Sequence, residues 1–215
     1  MKNVYFAMIS ILLVGCVSHP ITKIGFKSSD INSIPAEVMI KVPHIFENDG
    51  YSCATTSLAM ALSYFDNRWK CPIDKNTAWI LSGSNKNRVI STGNDMDGLK
   101  RLANHFGYFG EYEDKMSIRK LELLLSKNIL VIINIRAFET GKKTHALLAE
   151  GYSNVKKVLF VADPSNLTTK ISFSDLKKRW SAFLSEPYGM SHRSGFLVYP
   201  KSTKVVYNEF FKLFS

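Results

Sequence analysis

Cys53, His145 and Asp163 lie far apart in the chain, yet their types and surroundings suit the making of a sulfur nucleophile. Cys53 stands in Gly50-Tyr51-Ser52-Cys53-Ala54-Thr55-Thr56-Ser57-Leu58-Ala59-Met60, where a polar turn gives way to helically spaced apolar residues. His145 opens Thr144-His145-Ala146-Leu147-Leu148, and Asp163 closes Val161-Ala162-Asp163-Pro164. A thiol is a poor nucleophile near neutral pH. A helix N-terminus favours its thiolate, and an imidazole holds the proton it loses. A carboxylate on the far ring nitrogen then fixes the tautomer and orientation of that imidazole. Plainer readings exist for each residue: a Cys53–Cys71 disulfide, a packed histidine at a strand end, a simple Asp-Pro turn. A disulfide does not account for the contexts of His145 and Asp163, and Cys71 reads as a lone thiol after the first helix.

These side chains need elements to hold them. The pattern predicts a short strand over 38–42 ending at Pro43, then a turn at Asn48-Asp49-Gly50. A helix over 53–66 puts Leu58, Ala61, Leu62 and Phe65 on one face, so it is central and buried. Shorter helices follow near 76–81, from Asn94-Asp95 to Gly107, and from the cap Ser117. From Ile129 the pattern changes to strands, over 129–133, 145–152 and 158–162, with a closing strand over 195–199. Ser172 or Ser174 opens a last helix bearing Leu176 and Trp180. Helices first and an antiparallel sheet second make an α+β layout.

The N-terminus reads as an export signal. Lys2 precedes the apolar run Val4 to Val14, and Leu13-Val14-Gly15-Cys16 closes it in the manner of a bacterial lipobox. The expectation is a lipoprotein signal peptide over 1–15, a lipidated Cys16 heading a polar tether over 16–35, and one domain over 36–215. An ordinary signal peptide that happens to contain a cysteine is the alternative. By the same resemblance to a lipobox, Val17 rather than Asp after the cysteine implies the periplasmic face of the outer membrane over the inner membrane. The chain has 215 residues, 46% of them hydrophobic, enough for one ordinary core. Its net charge of +10 is spread over scattered lysines, without the dense basic run that nucleic-acid binding calls for. His19, His44, His105 and His192 lack partners at metal-ligand spacing, so no metal or cofactor is expected.

Together these features resemble the C39-like branch of the papain-fold peptidases, known best from double-glycine leader processing. The resemblance runs from Glu47 to Pro164. It rests on Cys53, Ser57 and Met60 in Cys-x-x-x-Ser-x-x-Met, a 97–107 helix closing on "HFGY", and the "LLLSKNILVIINI" segment. It continues through "THALLAEGY" with His145 and "VADPSN" with Asp163. It implies a papain-like fold, with the cysteine on a central helix packed on an antiparallel sheet. It also implies Cys53 as nucleophile, His145 as general base and then acid, and Asp163 as the residue orienting His145. The expected partners are a peptide or protein substrate and, through the lipid anchor, a membrane. The family usually places a glutamine six residues before the cysteine, as an oxyanion donor. Here that position holds Glu47, whose carboxylate would repel the oxyanion, and the neighbouring Asn48 is the favoured substitute. Two other outcomes stay open: a protein that has lost turnover and only binds, and acyl transfer or amide hydrolysis on a non-protein substrate.

Overall fold

The computed structural model describes residues 22–25, 30, 32–47, 49–66, 73–83, 96–137, 144–183, 190–201 and 203–206. Two strands come first, β1 (Thr22–Gly25) and β2 (Glu37–Met39), then three helices: α1 (Cys53–Phe65), α2 (Lys75–Ser82) and α3 (Met96–His105). After β3 (Tyr108–Glu113) and α4 (Ile118–Ser126) the chain is mostly strand. It runs through β4 (Leu130–Arg136), β5 (Thr144–Ser153), β6 (Val158–Ala162), β7 (Lys170–Ser172), α5 (Phe173–Arg179), β8 (Ser181–Phe183), β9 (Met190–His192), β10 (Gly195–Pro200) and β11 (Thr203–Val206). The main sheet has the order β3-β10-β4-β5-β6-β7, antiparallel throughout, with β2 pairing beside β5. The α+β layout is as expected.

Helix α1 is buried continuously from Ala54 to Ser63, with Leu58, Ala59, Met60, Ala61 and Leu62 wholly out of solvent. The predicted caps hold at two other helices. Ser117 accepts from Lys120 N at 3.0 Å, and Ser172 accepts from Asp175 N at 3.1 Å. Helix α4 stops at Asn128, which takes a left-handed φ of 57°. The Asn128 and Ile129 N–H groups then fold back onto the carbonyls of Leu125 and Leu124, each at 3.0 Å. That closure aims the chain into β4, whose apolar run is buried from Leu130 to Ile135.

Strand β5 is the spine of the sheet. Along one edge it pairs with β4 through residues 144–149 and then with β2 through 151–153. Against β6 its register shifts between Ala149 and Gly151. A Cβ at Gly151 would strike the Val38 carbonyl oxygen, so the close approach of β2 requires glycine there. The strand expected over 38–42 is shorter than predicted. It ends at Met39, with one further bond from Ile40 N to Glu150 O, and the chain leaves the sheet ahead of Pro43, which has no N–H to donate. Four residues of the expected tether form β1, whose Thr-Lys-Ile-Gly pairs in parallel with Thr-Lys-Val-Val of β11. Asn94 and Asp95, the expected start of α3, lie outside the described residues.

Candidate active site

The head of α1 is held from two sides. On its loop side, the Asp49 carboxylate accepts from Tyr51 N at 3.2 Å, Ser52 N at 3.1 Å and the Ser52 hydroxyl at 2.7 Å. Lys75 lies 3.5 Å from its other oxygen. Burial works against this carboxylate, but the Ser52 hydroxyl, the two N–H groups and Lys75 outweigh it and hold its pKa below the usual range. Ser52 therefore spends its hydroxyl on Asp49 and caps no helix N–H, so no side-chain cap stands before the first-turn amides, Cys53 included. On its sheet side, one turn into the helix, the Ser57 hydroxyl bonds the carbonyl of Ala146 at 3.3 Å. Ala146 adjoins His145, so this bond sets helix and strand at the level where the two side chains meet. Cys53 is a free thiol, partly open to solvent.

His145 is 7% exposed and Asp163 3%. His145 Nε2 meets Asp163 Oδ1 at 2.7 Å, and Cys53 lies close enough to the imidazole to act on its charge. With Nε2 committed to Asp163, Nδ1 is the ring nitrogen left for the sulfur. Burial disfavours the imidazolium, yet the bond to Asp163, the nearby Cys53 and the charges of both raise its pKa to about 10. Asp163 moves the other way. Burial would raise its pKa, but His145 and backbone donors lower it. Its Oδ1 also accepts Ser165 N at 2.8 Å, and its Oδ2 accepts Leu167 N and Thr168 N, each at 3.1 Å. An Asp-Pro turn thus wraps its own N–H groups around the carboxylate that holds the histidine.

The structure brings Cys53, His145 and Asp163 together. Glu47 adjoins them, its carboxylate accepting the Ser165 hydroxyl at 2.5 Å and lying 3.5 Å from the Ser52 hydroxyl. Asn48, Cys16 and Cys71 lie outside the described residues. Sequence reasoning missed Asp49, Ser52 and Ser165; the one signal available was Ser165 two places after an aspartate, where a turn serine is expected anyway. His44 is paired with Glu150 at 3.3 Å, and the described residues hold no cluster suited to a metal ion.

Solved structures share this architecture. A double-glycine-motif protease from an AMS/PCAT transporter, solved in complex with its leader peptide, is 18% identical with a TM-score of 0.53, over 76% of this chain and 95% of that one. A C39-like peptidase from Bacillus anthracis is 14% identical with a TM-score of 0.53, over 78% and 99%. The peptidase domain of Streptococcus ComA, a bifunctional ABC transporter, is 14% identical with a TM-score of 0.51, over 74% and 98%. The fold is therefore that of the papain-like C39 peptidases. No curated protein sequence matches the chain. The Peptidase_C39 like family model matches residues 39–187, and the chain belongs to that family.

The pKa of His145 fixes a pH dependence. A pKa raised on folding adds stability that is complete below the ordinary value of 6.5 and is lost as pH rises through about 10. The imidazole should titrate near 10 by NMR in the wild type and fall toward neutral in Asp163→Asn. The stability difference between the two proteins, measured by urea unfolding, should shrink from pH 6 to pH 10.5. A difference that stays constant across that range contradicts the pairing.

Proposed function

We propose that the chain is an exported cysteine peptidase that hydrolyses peptide bonds of a secreted or periplasmic protein through an acyl-enzyme. The observation that carries this reading is the His145–Asp163 pair beside Cys53 at the head of a buried helix. Cys53 sulfur, as thiolate, attacks the scissile carbonyl carbon while the His145 imidazolium stands beside it. The oxyanion is held by the Cys53 backbone N–H, with the amide of Asn48 as the proposed second donor. The carbon–nitrogen bond then breaks as His145 passes its Nδ1 proton to the leaving amine, freeing the first product and leaving a thioester on Cys53. Water attacks the thioester with His145 as base, releasing a carboxylate product and restoring the thiolate–imidazolium pair. Asp163 keeps the ring oriented throughout, as the imidazolium and as the neutral base that deacylation needs. Support for a peptide substrate comes from the transporter protease solved with a leader peptide.

Location belongs to the same proposal. Residues 1–15 act as a lipoprotein signal peptide, Cys16 carries the lipid, and 16–35 tether the domain to the periplasmic face of the outer membrane. Cys16→Ala should move the protein from the membrane to the soluble fraction, and retention at the membrane would contradict the anchor. A second reading, a family member that binds peptide without turnover, draws on Glu47 standing where the family usually has an amide.

Iodoacetamide labelling with peptide mapping tests the catalytic reading. Cys53 should react selectively over Cys71 at neutral pH, and His145→Ala should slow it by ~10²-fold or more. Equal, slow labelling of both cysteines, or a Cys53–Cys71 disulfide, would sink it. Asn48→Ala should lower turnover by ~10²–10³-fold with little change in substrate binding, because the contact forms only as charge develops. Unchanged acylation of that variant by an activated peptide ester would remove Asn48 from the oxyanion site.

A further inference from the structure

Glu47 occupies the oxyanion-donor position of the resemblance, but its carboxylate is committed elsewhere. Ser165 donates its hydroxyl to Glu47 Oε1 at 2.5 Å, and its N–H to Asp163 Oδ1 at 2.8 Å. That same Oδ1 holds His145 Nε2 at 2.7 Å. The Glu47 backbone N–H reaches the carbonyl of Pro164 at 2.9 Å, a second tie to the same turn. Its other carboxylate oxygen faces the Ser52 hydroxyl across a longer 3.5 Å, and Ser52 directly precedes Cys53. One residue thus reaches from the turn that carries Asp163 to the residue before the nucleophile.

We propose that Glu47 is a positioning residue that clamps the Asp163 turn to the loop entering α1, an inference that rests on the peptidase reading above. The residue type fits this role. Ser165 is a hydroxyl donor, and a carboxylate presents only acceptors to it, whereas a glutamine presents one oxygen and an NH₂; the Ser52 hydroxyl gives its one proton to Asp49 and meets Glu47 only at the longer distance. A carboxylate so engaged gives no N–H to an oxyanion, so that task passes to the Cys53 N–H and Asn48. Ser165 is the relay. Its hydroxyl is fixed by Glu47, its N–H fixes Asp163, and Asp163 fixes the imidazole. Losing either end of the Glu47–Ser165 bond lets the carboxylate of Asp163 turn, and the histidine with it.

The test is a double-mutant cycle read as a pH profile. Acylation of Cys53 by an activated peptide ester is measured from pH 6 to 10.5 in wild type, Glu47→Ala, Ser165→Ala, the double variant and Glu47→Gln. Each single alanine variant should lose ~10-fold or more and shift the alkaline limb, which His145 governs, to lower pH. The double variant should be no worse than the singles, because both remove one bond. Glu47→Gln, which keeps an oxygen for Ser165, should recover to within about threefold of wild type. A Glu47→Gln rate well above wild type overturns the clamp and marks the carboxylate as an oxyanion repeller. Multiplying losses in the double variant, or slower acylation with an unmoved alkaline limb, also overturns it. His145→Ala separates the two levels of the argument. If it leaves acylation unchanged, the peptidase reading itself fails; if it slows acylation while Glu47 and Ser165 variants do not, the clamp alone fails.

Discussion

Burial of α1 against β5 is the contact on which the site depends, because Cys53 and His145 are brought together only where helix and strand touch. Leu58, Met60 and Leu62 are wholly buried, and each contributes about 2 kcal/mol by leaving water. That apolar packing holds the helix on the sheet but tolerates small slides along the strand. The Ser57 hydroxyl on the carbonyl of Ala146 sets the level, since a hydrogen bond has a narrow geometry and an apolar contact does not. The helix head can then present its thiol without a side-chain cap, because tertiary packing supplies what capping would add.

The second constraint is electrostatic. Burying an ionised group costs several kcal/mol unless partners compensate, and two cations of this chain show the two outcomes. Lys120 is 2% exposed, and burial lowers it to about 8 even with Glu113 against it. His145 suffers the same penalty but is bonded to Asp163 and lies beside Cys53, and its pKa rises to about 10. Asp163 accepts three backbone N–H groups as well as the imidazole, so its negative charge stays fixed beside the ring. In the proposed reaction, a histidine held as a cation would store the proton that the leaving amine takes.

Much of this was legible in the sequence, for physical reasons that differ between elements. Helix α1 announces itself because its apolar period is strong and a turn precedes it. Strands β4, β5 and β6 read as near-continuous apolar runs because helices or loops cover both faces of the sheet. Strand β3 does not read at all. Its Gly110 looks like a breaker, yet it is there because a side chain would collide with Phe196 of β10. The pairing of β1 with β11 joins residues at opposite ends of the described chain, and no local pattern reports so distant a partner. The site divides the same way. Cys53, His145 and Asp163 have types that single themselves out, and the structure sets them side by side. The bonds of Ser52 and Ser165 to Asp49 and Glu47 stayed hidden, because a serine in a turn needs no special explanation until its partner is seen.

The central claim, that Cys53 is a nucleophile served by His145 and Asp163, is tested most directly by trapping the acyl-enzyme. Intact-mass spectrometry of the protein mixed with an activated peptide ester, followed by peptide mapping, reads both the presence and the position of the adduct. The account predicts one acyl group per chain, on Cys53, that is absent in Cys53→Ala and forms ~10²-fold or more slowly in His145→Ala. No adduct on the wild type, or one placed on another residue, would contradict it.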